Sequence, residues 1–336
     1  MLEARAPSAS IFQRWGWVGC LAEERYKDPV LIRATNDSGD VIGLALFNHR
    51  AGQLYLAESG DSRLDAPYIE HNAPLVAEGP QAGAIGAALL DAAWRVRGVR
   101  RLVLHGVPPA VQAAAGGVPW RLHEDTAPHV DLAALPPGSD WLASLSANTR
   151  YQIRRSDRRF AALGDAPPEA RAAATETEAQ DWLEAMAALH GETWRRRGKT
   201  GAFADPFALR FHKALVARML ARGELDLLRI TAGPELVIGY LYNFRRGGRV
   251  YAYQSGFRAA AEGSHEKPGL TCHALAIQRA QAAGDRCYDF LAGAHRYKLS
   301  LANGSARLVW AELVPSFSPH GVVARAVHWW RRRGAA

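Results

Sequence analysis

Three observations predict an α+β chain built as two tandem domains of one design, each a mostly antiparallel sheet flanked by helices, joined by a basic helix. The first is an internal repeat. Val41-Ile42-Gly43 recurs as Val237-Ile238-Gly239, and at the same spacing Arg50 matches Arg246, Gly52 matches Gly248, Tyr55 matches Tyr251 and Ser59-Gly60 matches Ser255-Gly256. A second block, Gly83 to Gly98, matches Gly269 to Gly284 around Ala88-Leu89 and Ala274-Leu275 at a slightly shorter spacing. Solenoid repeats run roughly 20–50 residues, so copies this far apart are domains. The second observation is the order of elements within each copy, and the third is a row of arginines between them.

In the first copy, Val30 to Ala34 and Val41 to Phe47 are apolar or β-branched runs separated by the turn signal Asn36-Asp37-Ser38-Gly39. Gln53 to Glu58 reads as a third strand, Ala84 to Arg97 as a helix with Gly98 as a left-handed cap, and Arg101 to His105 as a returning strand. The second copy repeats this with Glu224 to Ile230, Val237 to Phe244, Arg249 to Gln254, the helix Leu270 to Ala283, Gly284 and the strand Cys287 to Leu291. Helices over Asp181 to Arg197 and from Pro206 to Ala221 precede it. Pro136-Pro137-Gly138 marks a break, followed by a helix from Asp140 to Leu163 ended by Gly164. On it Arg150, Arg154 and Arg158 share a face, which Arg155 and Arg159 widen. The expected domains are residues 1–135, a basic link over 136–170, and residues 171–336.

At 336 residues the chain suits two domains. No apolar run approaches the ~18 residues of a membrane span. The N-terminus lacks a signal layout, so a cytoplasmic protein is expected. Three cysteines (Cys20, Cys272, Cys287) without CxxC spacing argue for reduced, buried thiols rather than disulfides or zinc. Neither HExxH nor paired Cys/His spacing supports a metal, and Gly-x-Ser-x-Gly and Walker loops are missing. The net charge of +8 comes largely from arginine clusters at 150–159, 195–197, 245–249 and 331–333, which suit carboxylate or phosphate contacts. Arginine-rich coding bias explains a general excess equally well.

Several motifs carry a family resemblance. Thr149-Arg150-Tyr151-Gln152-Ile153-Arg154-Arg155, Trp194-Arg195-Arg196-Arg197-Gly198 with Phe203, Ser255-Gly256-Phe257, Pro268-Gly269-Leu270, and Asp289-Phe290-Leu291-x-Gly293-x-x-x-Tyr297-Lys298 together resemble the GNAT superfamily of acyl-CoA N-acyltransferases. The tandem form resembles its CelD-like and Fem-type branch. The motifs cover Leu142 to Leu313, and the N-terminal copy joins through the repeat. The resemblance implies two tandem GNAT-like domains and an acyltransferase, an N-acetyltransferase by its GNAT type, using acetyl-CoA or another acyl-CoA without a metal. A small-molecule or envelope-precursor amine is the implied acceptor. A Fem-type aminoacyltransferase fed by tRNA, and a silent accessory protein of exopolysaccharide production, are the alternatives.

An anionic donor needs a helix N-terminus with unpaired N–H groups. In the second copy this falls at His265, Lys267, Gly269, Leu270 and Thr271, although Cys272 stands where the family has its central glycine. The first copy, Gln81 to Ala88 with Gly83 and Gly86, lies closer to the usual donor loop, which leaves open which copy binds the donor. For chemistry, Tyr297 is a candidate proton donor, Lys298 a stabiliser of negative charge and Asp289 a proton acceptor. The plain alternatives are a turn cap for Asp289 and an ion pair for Lys298. Trp194, Arg197 and Tyr253 are the candidate acceptor contacts, with core packing the alternative for the two aromatics. The tail His328-Trp329-Trp330-Arg331-Arg332-Arg333 suits either a membrane interface or a docked helix. Only the second copy carries Trp194–Gly198 and Asp289…Lys298, so the cleft is expected there.

Overall fold

The computed structural model describes residues 1–260 and 265–333, with side chains described to residue 326. Its chain divides into two compact units, Met1–Asp125 with Arg307–Ala336, and Thr126–Ala306. In chain order the first unit opens with two 3-10 helices (Leu2–Arg5 and Ile11–Gln13), followed by short helices α1 (Trp15–Val18) and α2 (Ala22–Arg25). There follow β1 (Pro29–Thr35), β2 (Val41–Arg50), β3 (Gln53–Leu56), β4 (Leu75–Val76), α3 (Ala82–Ala93), β5 (Arg101–Val107) and α4 (Pro109–Ala114). Strand β6 (Val118–Asp131) runs into the second unit. That unit holds α5 (Trp141–Ser144), α6 (Ala147–Gly164), β7 (Pro168–Ala172), α7 (Glu176–Arg196), α8 (Pro206–Leu220), β8 (Leu225–Ala232), β9 (Leu236–Arg246), β10 (Arg249–Phe257), α9 (Pro268–Ala282), β11 (Cys287–Asp289) and α10 (Arg296–Leu301). Strand β12 (Gly304–Val314) returns to the first unit, which ends in α11 (Pro319–Arg333). The expected membrane-contact residues His328 to Arg333 have side chains outside the described set, as does Ser264 ahead of α9.

The repeat is structural. In the first unit β1, β2 and β3 form an antiparallel meander and β5 pairs parallel to β3. In the second unit β8, β9, β10 and β11 do the same. The registers coincide: Gln53, Leu54 and Tyr55 face Arg101, Leu102 and Val103, while Arg249, Val250 and Tyr251 face Cys287, Tyr288 and Asp289. Both β2–β3 and β9–β10 turns place two successive residues at positive φ (Ala51 and Gly52; Gly247 and Gly248), as a two-residue hairpin demands. Gly98 and Gly284 close their helices with φ of 83° and 78°.

The division falls elsewhere than at Pro136-Pro137-Gly138. The expected link belongs to the core of the second unit, because Trp141, Leu145, Ile153 and Phe160 are buried with Ile277, Tyr288 and Phe290. Gln281 of α9 holds this segment, accepting from Trp141 N (3.1 Å) and donating to Ser139 O (2.7 Å). The single helix expected from Asp140 to Leu163 is two helices. Leu145 is extended, the Asp140 carboxylate caps α5, and Ser146 Oγ accepts from Thr149 N to cap α6. Residues 307–314 go with the first unit because β12 pairs antiparallel with β5, while β6 pairs with β11 in the second. The strand that follows each sequence repeat therefore pairs with the last strand of the other repeat.

Helices α7 and α8 lie against the second sheet. Gly256 on β10 permits the approach of α7, since a Cβ there would meet Met186 O at 2.3 Å. Beneath α8, His212 packs among Phe203, Phe211, Tyr242 and Tyr253. Burial lowers the His212 pKa from 6.5 to about 3. Burial, then the Lys298 charge, does the same for His273 on α9. All three cysteines are free and buried. No described helix is long and apolar enough to cross a membrane.

Two predictions follow from this packing. The unfolded chain protonates His212 and His273 below its ordinary pKa while the folded chain refuses the proton. Stability is therefore full above about pH 6.5 and is lost as pH falls toward 3, by about 2 kcal/mol per histidine at pH 5. Urea unfolding midpoints should fall from pH 7 to pH 5, and His212→Phe should flatten the slope; a midpoint independent of pH would contradict it. Gly256→Ala should cost about 1–3 kcal/mol in the same assay by pushing α7 off β10, and a neutral result would refute the close approach.

Candidate functional site

Of the expected site residues, Asp289, Tyr297, Lys298 and Gly269 lie in the second unit around the point where β10 and β11 part. The two strands pair over only three residues each, 249–251 with 287–289. Beyond this β10 continues to Phe257, while the chain after Asp289 turns away with Leu291 at φ 60° and Gly293 at φ 100°. The Lys298 ammonium holds that turn. Its Nζ donates to the carbonyls of Phe290 (2.8 Å), Leu291 (3.2 Å) and Ala292 (2.8 Å), and the side chain is buried. These three bonds make Lys298 a buried strut of the turn, where a stabiliser of negative charge or an ion-pair partner was expected.

Asp289 is fully buried at the end of β11. One carboxylate oxygen accepts from Arg249 Nη1 (2.6 Å) and the other from Leu291 N (2.8 Å). This engagement is that of a turn cap and ion-pair partner rather than the expected proton acceptor. Tyr297, on α10, is half-buried. Its ring stacks on His273 (5.5 Å) and His295 (6.4 Å) and meets Phe290 edge-on. Burial raises its pKa to about 12 against the opposing charge of Arg197, so the phenol keeps its proton at neutral pH.

Helix α9 begins beside this group. Lys267 is its N-cap residue and is exposed, as is His265; Pro268 sits at the first turn. The N–H groups of Gly269 and Leu270 make no hydrogen bond to the described residues, as a helix start dictates. Gly269 faces Phe257, whose ring also meets His273 at 6.0 Å. Thr271 is not part of this open end. A chain runs from Lys267 N–H to Ser156 Oγ (2.9 Å), to Thr271 Oγ1 (2.9 Å) and to Asp157 Oδ1 (2.7 Å), tying α9 to α6. Cys272, at the family's glycine position, is wholly buried in the core.

Tyr253 lies elsewhere. It is 4% exposed and packed against His212, Tyr242 and Phe244, which corrects its assignment to an acceptor surface. It occupies the irregular point of the β9–β10 register, between Ala252 and Gln254. Trp194, near the end of α7, is half-buried, with the Arg197 guanidinium 5.6 Å and Lys199 Nζ 5.9 Å from its ring centroid. On α6 the arginine face is partly spent. Arg150 donates to the carbonyls of Ala143 and Leu145, and Arg159 lies 3.8 Å from the buried Glu266 carboxylate, while Arg154 and Arg158 are exposed.

Two histidines absent from the expected set organise the site. His190 is bound at both nitrogens: Nδ1–H donates to Ser255 O (3.0 Å) and Nε2 accepts from Ala202 N (3.2 Å), while its ring touches Trp194 and Phe203. Burial lowers its pKa, so a neutral imidazole bridges α7, β10 and the segment before α8. Its signal was its place on the apolar stripe of α7 after Ala179, Trp182, Leu183 and Met186. His273 shares a hydrogen bond of 3.0 Å with Tyr288 Oη and falls on the buried stripe of α9.

In the first unit the equivalent opening is closed. Asn72 Nδ2 donates to Leu56 O (3.0 Å) and His105 O (3.3 Å), and Asn72 N donates to Gly106 O (3.0 Å), stitching the ends of β3 and β5 together. Val103, Val111 and Gln112 stand at the repeat positions of Asp289, Tyr297 and Lys298.

Residues 147–299 match the family profile described as acetyltransferase (GNAT) domain. Among solved structures the chain is similar to FemX, with 11% identity, a TM-score of 0.64, and 96% of this chain and 97% of that one covered. It is also similar to L-PGS from Bacillus licheniformis, with 12% identity, a TM-score of 0.58 and coverage of 97% and 94%. A third is the C-terminal domain of a putative lysylphosphatidylglycerol synthetase from Agrobacterium fabrum, with 13% identity, a TM-score of 0.55 and the same coverage. No curated protein matches the sequence significantly. Residues 147–299 thus match a GNAT acetyltransferase domain, and the chain shares its fold with FemX.

Proposed function

We propose that the protein is a cytoplasmic N-acyltransferase that moves an acyl group, acetyl in the simplest case, from acyl-CoA to an amine of a small-molecule or envelope-precursor acceptor. The reaction would occur in the second unit. The observation that carries this reading is the asymmetry of the two strand openings. Where β10 and β11 part, Gly269 lies beside Phe257, its N–H and that of Leu270 make no hydrogen bond among the described residues, and Lys267 and His265 are exposed just ahead; the matching opening in the first unit is sealed by Asn72. A helix start with unpaired N–H groups and adjacent cations suits the donor's pyrophosphate.

In the reaction the amine nitrogen forms a bond to the thioester carbonyl carbon, the C–S bond breaks, and the leaving thiolate takes a proton while the amine releases one to solvent. Tyr297, held protonated, is the proton donor in this reading. Lys298 and the Asp289–Arg249 pair act as positioning residues: they fix the turn that presents α10 and Tyr297.

Aminoacyl transfer from tRNA is the second reading, favoured by the match to FemX over nearly all of both chains and by Cys272 at the glycine position. Calorimetry separates the two. Acetyl-CoA or a longer thioester should bind, and Tyr297→Phe should lower kcat roughly 10²- to 10⁴-fold while thioester binding persists. Thioesters that fail to bind, together with steeply salt-dependent tRNA binding, would replace the first reading with the second.

A further inference from the structure

Two cations share one indole at the end of α7, and the backbone is built to bring them there. Arg197 is the C-cap residue, and Gly198 at φ 69° turns the chain left-handed. Lys199 N then donates to Trp194 O (3.0 Å), as does Arg197 N (3.0 Å), so residues on both sides of the glycine return to the ring they follow. The guanidinium and the ammonium end 5.6 and 5.9 Å from the Trp194 centroid. The indole is itself steadied by His190, 5.8 Å away and hydrogen-bonded at both nitrogens.

These two charges lack what their neighbours have. Arg196 is paired with Glu192 (3.6 Å) and Arg195 Nε donates to Gly191 O (3.4 Å). Arg197 and Lys199 are exposed and have no acidic partner among the described residues. Cation–π attraction favours each on the ring separately, but together they repel, and an anion between them would turn that repulsion into two attractions. The Arg197 charge also acts on the Tyr297 phenol and on His190, which puts it at the rim of the candidate site.

We propose that Arg197 and Lys199, seated on Trp194, bind a carboxylate or phosphate of the acceptor, so that the acceptor is an amine carrying a negative charge. The proposal rests on the reading of this face as the acceptor side of an N-acyltransferase. A planar guanidinium beside a mobile ammonium fits one compact anionic group. A polynucleotide would need a run of neutralised phosphates, and the arginine row on α6 has Arg150 and Arg159 engaged within the protein.

Calorimetry on the full chain, with CoA present and absent, tests it using two ligand pairs: an amino acid against its amide, and an amino-sugar phosphate against the free amino sugar. The anionic member of one pair should bind tighter, and which pair responds tells carboxylate from phosphate. Arg197→Gln combined with Lys199→Gln should weaken that member roughly tenfold or more and erase the preference. Arg196→Gln, which removes one positive charge from the same turn, should preserve it. Equal binding of both members, no binding of either pair, tRNA as the only titrating species, or an equal loss in Arg196→Gln would each overturn the proposal. Thioester binding in the same samples reads the transferase assignment separately: a silent thioester with the anion preference intact would remove that assignment and leave the anion site standing.

Discussion

The Lys298 ammonium, set under three consecutive carbonyls, is the interaction on which the candidate site depends. The chain leaving β11 must abandon its parallel partner within one residue of Asp289, which strands the carbonyls of Phe290, Leu291 and Ala292 in a buried place. Buried acceptors without donors are costly, and one primary ammonium supplies a donor to each of the three. Its position on α10 means that the cation stabilising the turn also fixes the helix carrying Tyr297. Asp289 completes the arrangement from the other side, drawing Leu291 N–H inward while Arg249 neutralises it. A lysine on the surface would have been free to serve as a charge for catalysis; this one is committed to architecture.

The same constraint explains what could be read in the sequence. The two meanders were legible because their signals are local: alternating apolar runs, positive-φ hairpin turns at Ala51-Gly52 and Gly247-Gly248, and glycines at 98 and 284 that end the helices. The site motif was legible as a cluster, since Asp289, Tyr297 and Lys298 lie within ten residues. Their roles were not, because each is set by a partner from elsewhere in the fold: Arg249 comes from the adjacent strand, and His273 reaches Tyr297 from α9. The exchanged strands were illegible for a related reason. Much of β6 is exposed and carries charged residues and two prolines, so no apolar alternation marks it, and its partner β11 lies far along the chain.

Small and polar residues at unexpected places proved to be packing devices. Gly256, read as part of a site motif, is glycine because Met186 O occupies the space of a side chain. Gly164 ends α6, yet the left-handed residue is Asp165; the glycine is needed because a Cβ would strike Ala232 O. Thr271, read as a donor contact, spends its hydroxyl between Ser156 and Asp157. These positions resemble functional ones in sequence because close approach and ligand access both select small or hydrogen-bonding side chains.

Duplication gives two openings between a parallel strand pair, and the molecule treats them oppositely. In the first unit a single asparagine takes the carbonyls of Leu56 and His105, one from each side of the gap, and the third residue of the closure, at φ 62°, must be Gly106 because Ile69 O lies where a Cβ would stand. In the second unit the corresponding carbonyl on the β11 side, that of Leu291, is drawn away by Lys298 instead of being bridged across. Bridging the gap yields a sealed, rigid sheet end; pulling one lip aside leaves the strands apart next to the helix start at Gly269. A residue that supplies donors across the gap and one that supplies them from behind it satisfy the same hydrogen-bond requirement. The choice between them separates the bridged sheet end of the first repeat from the parted one of the second.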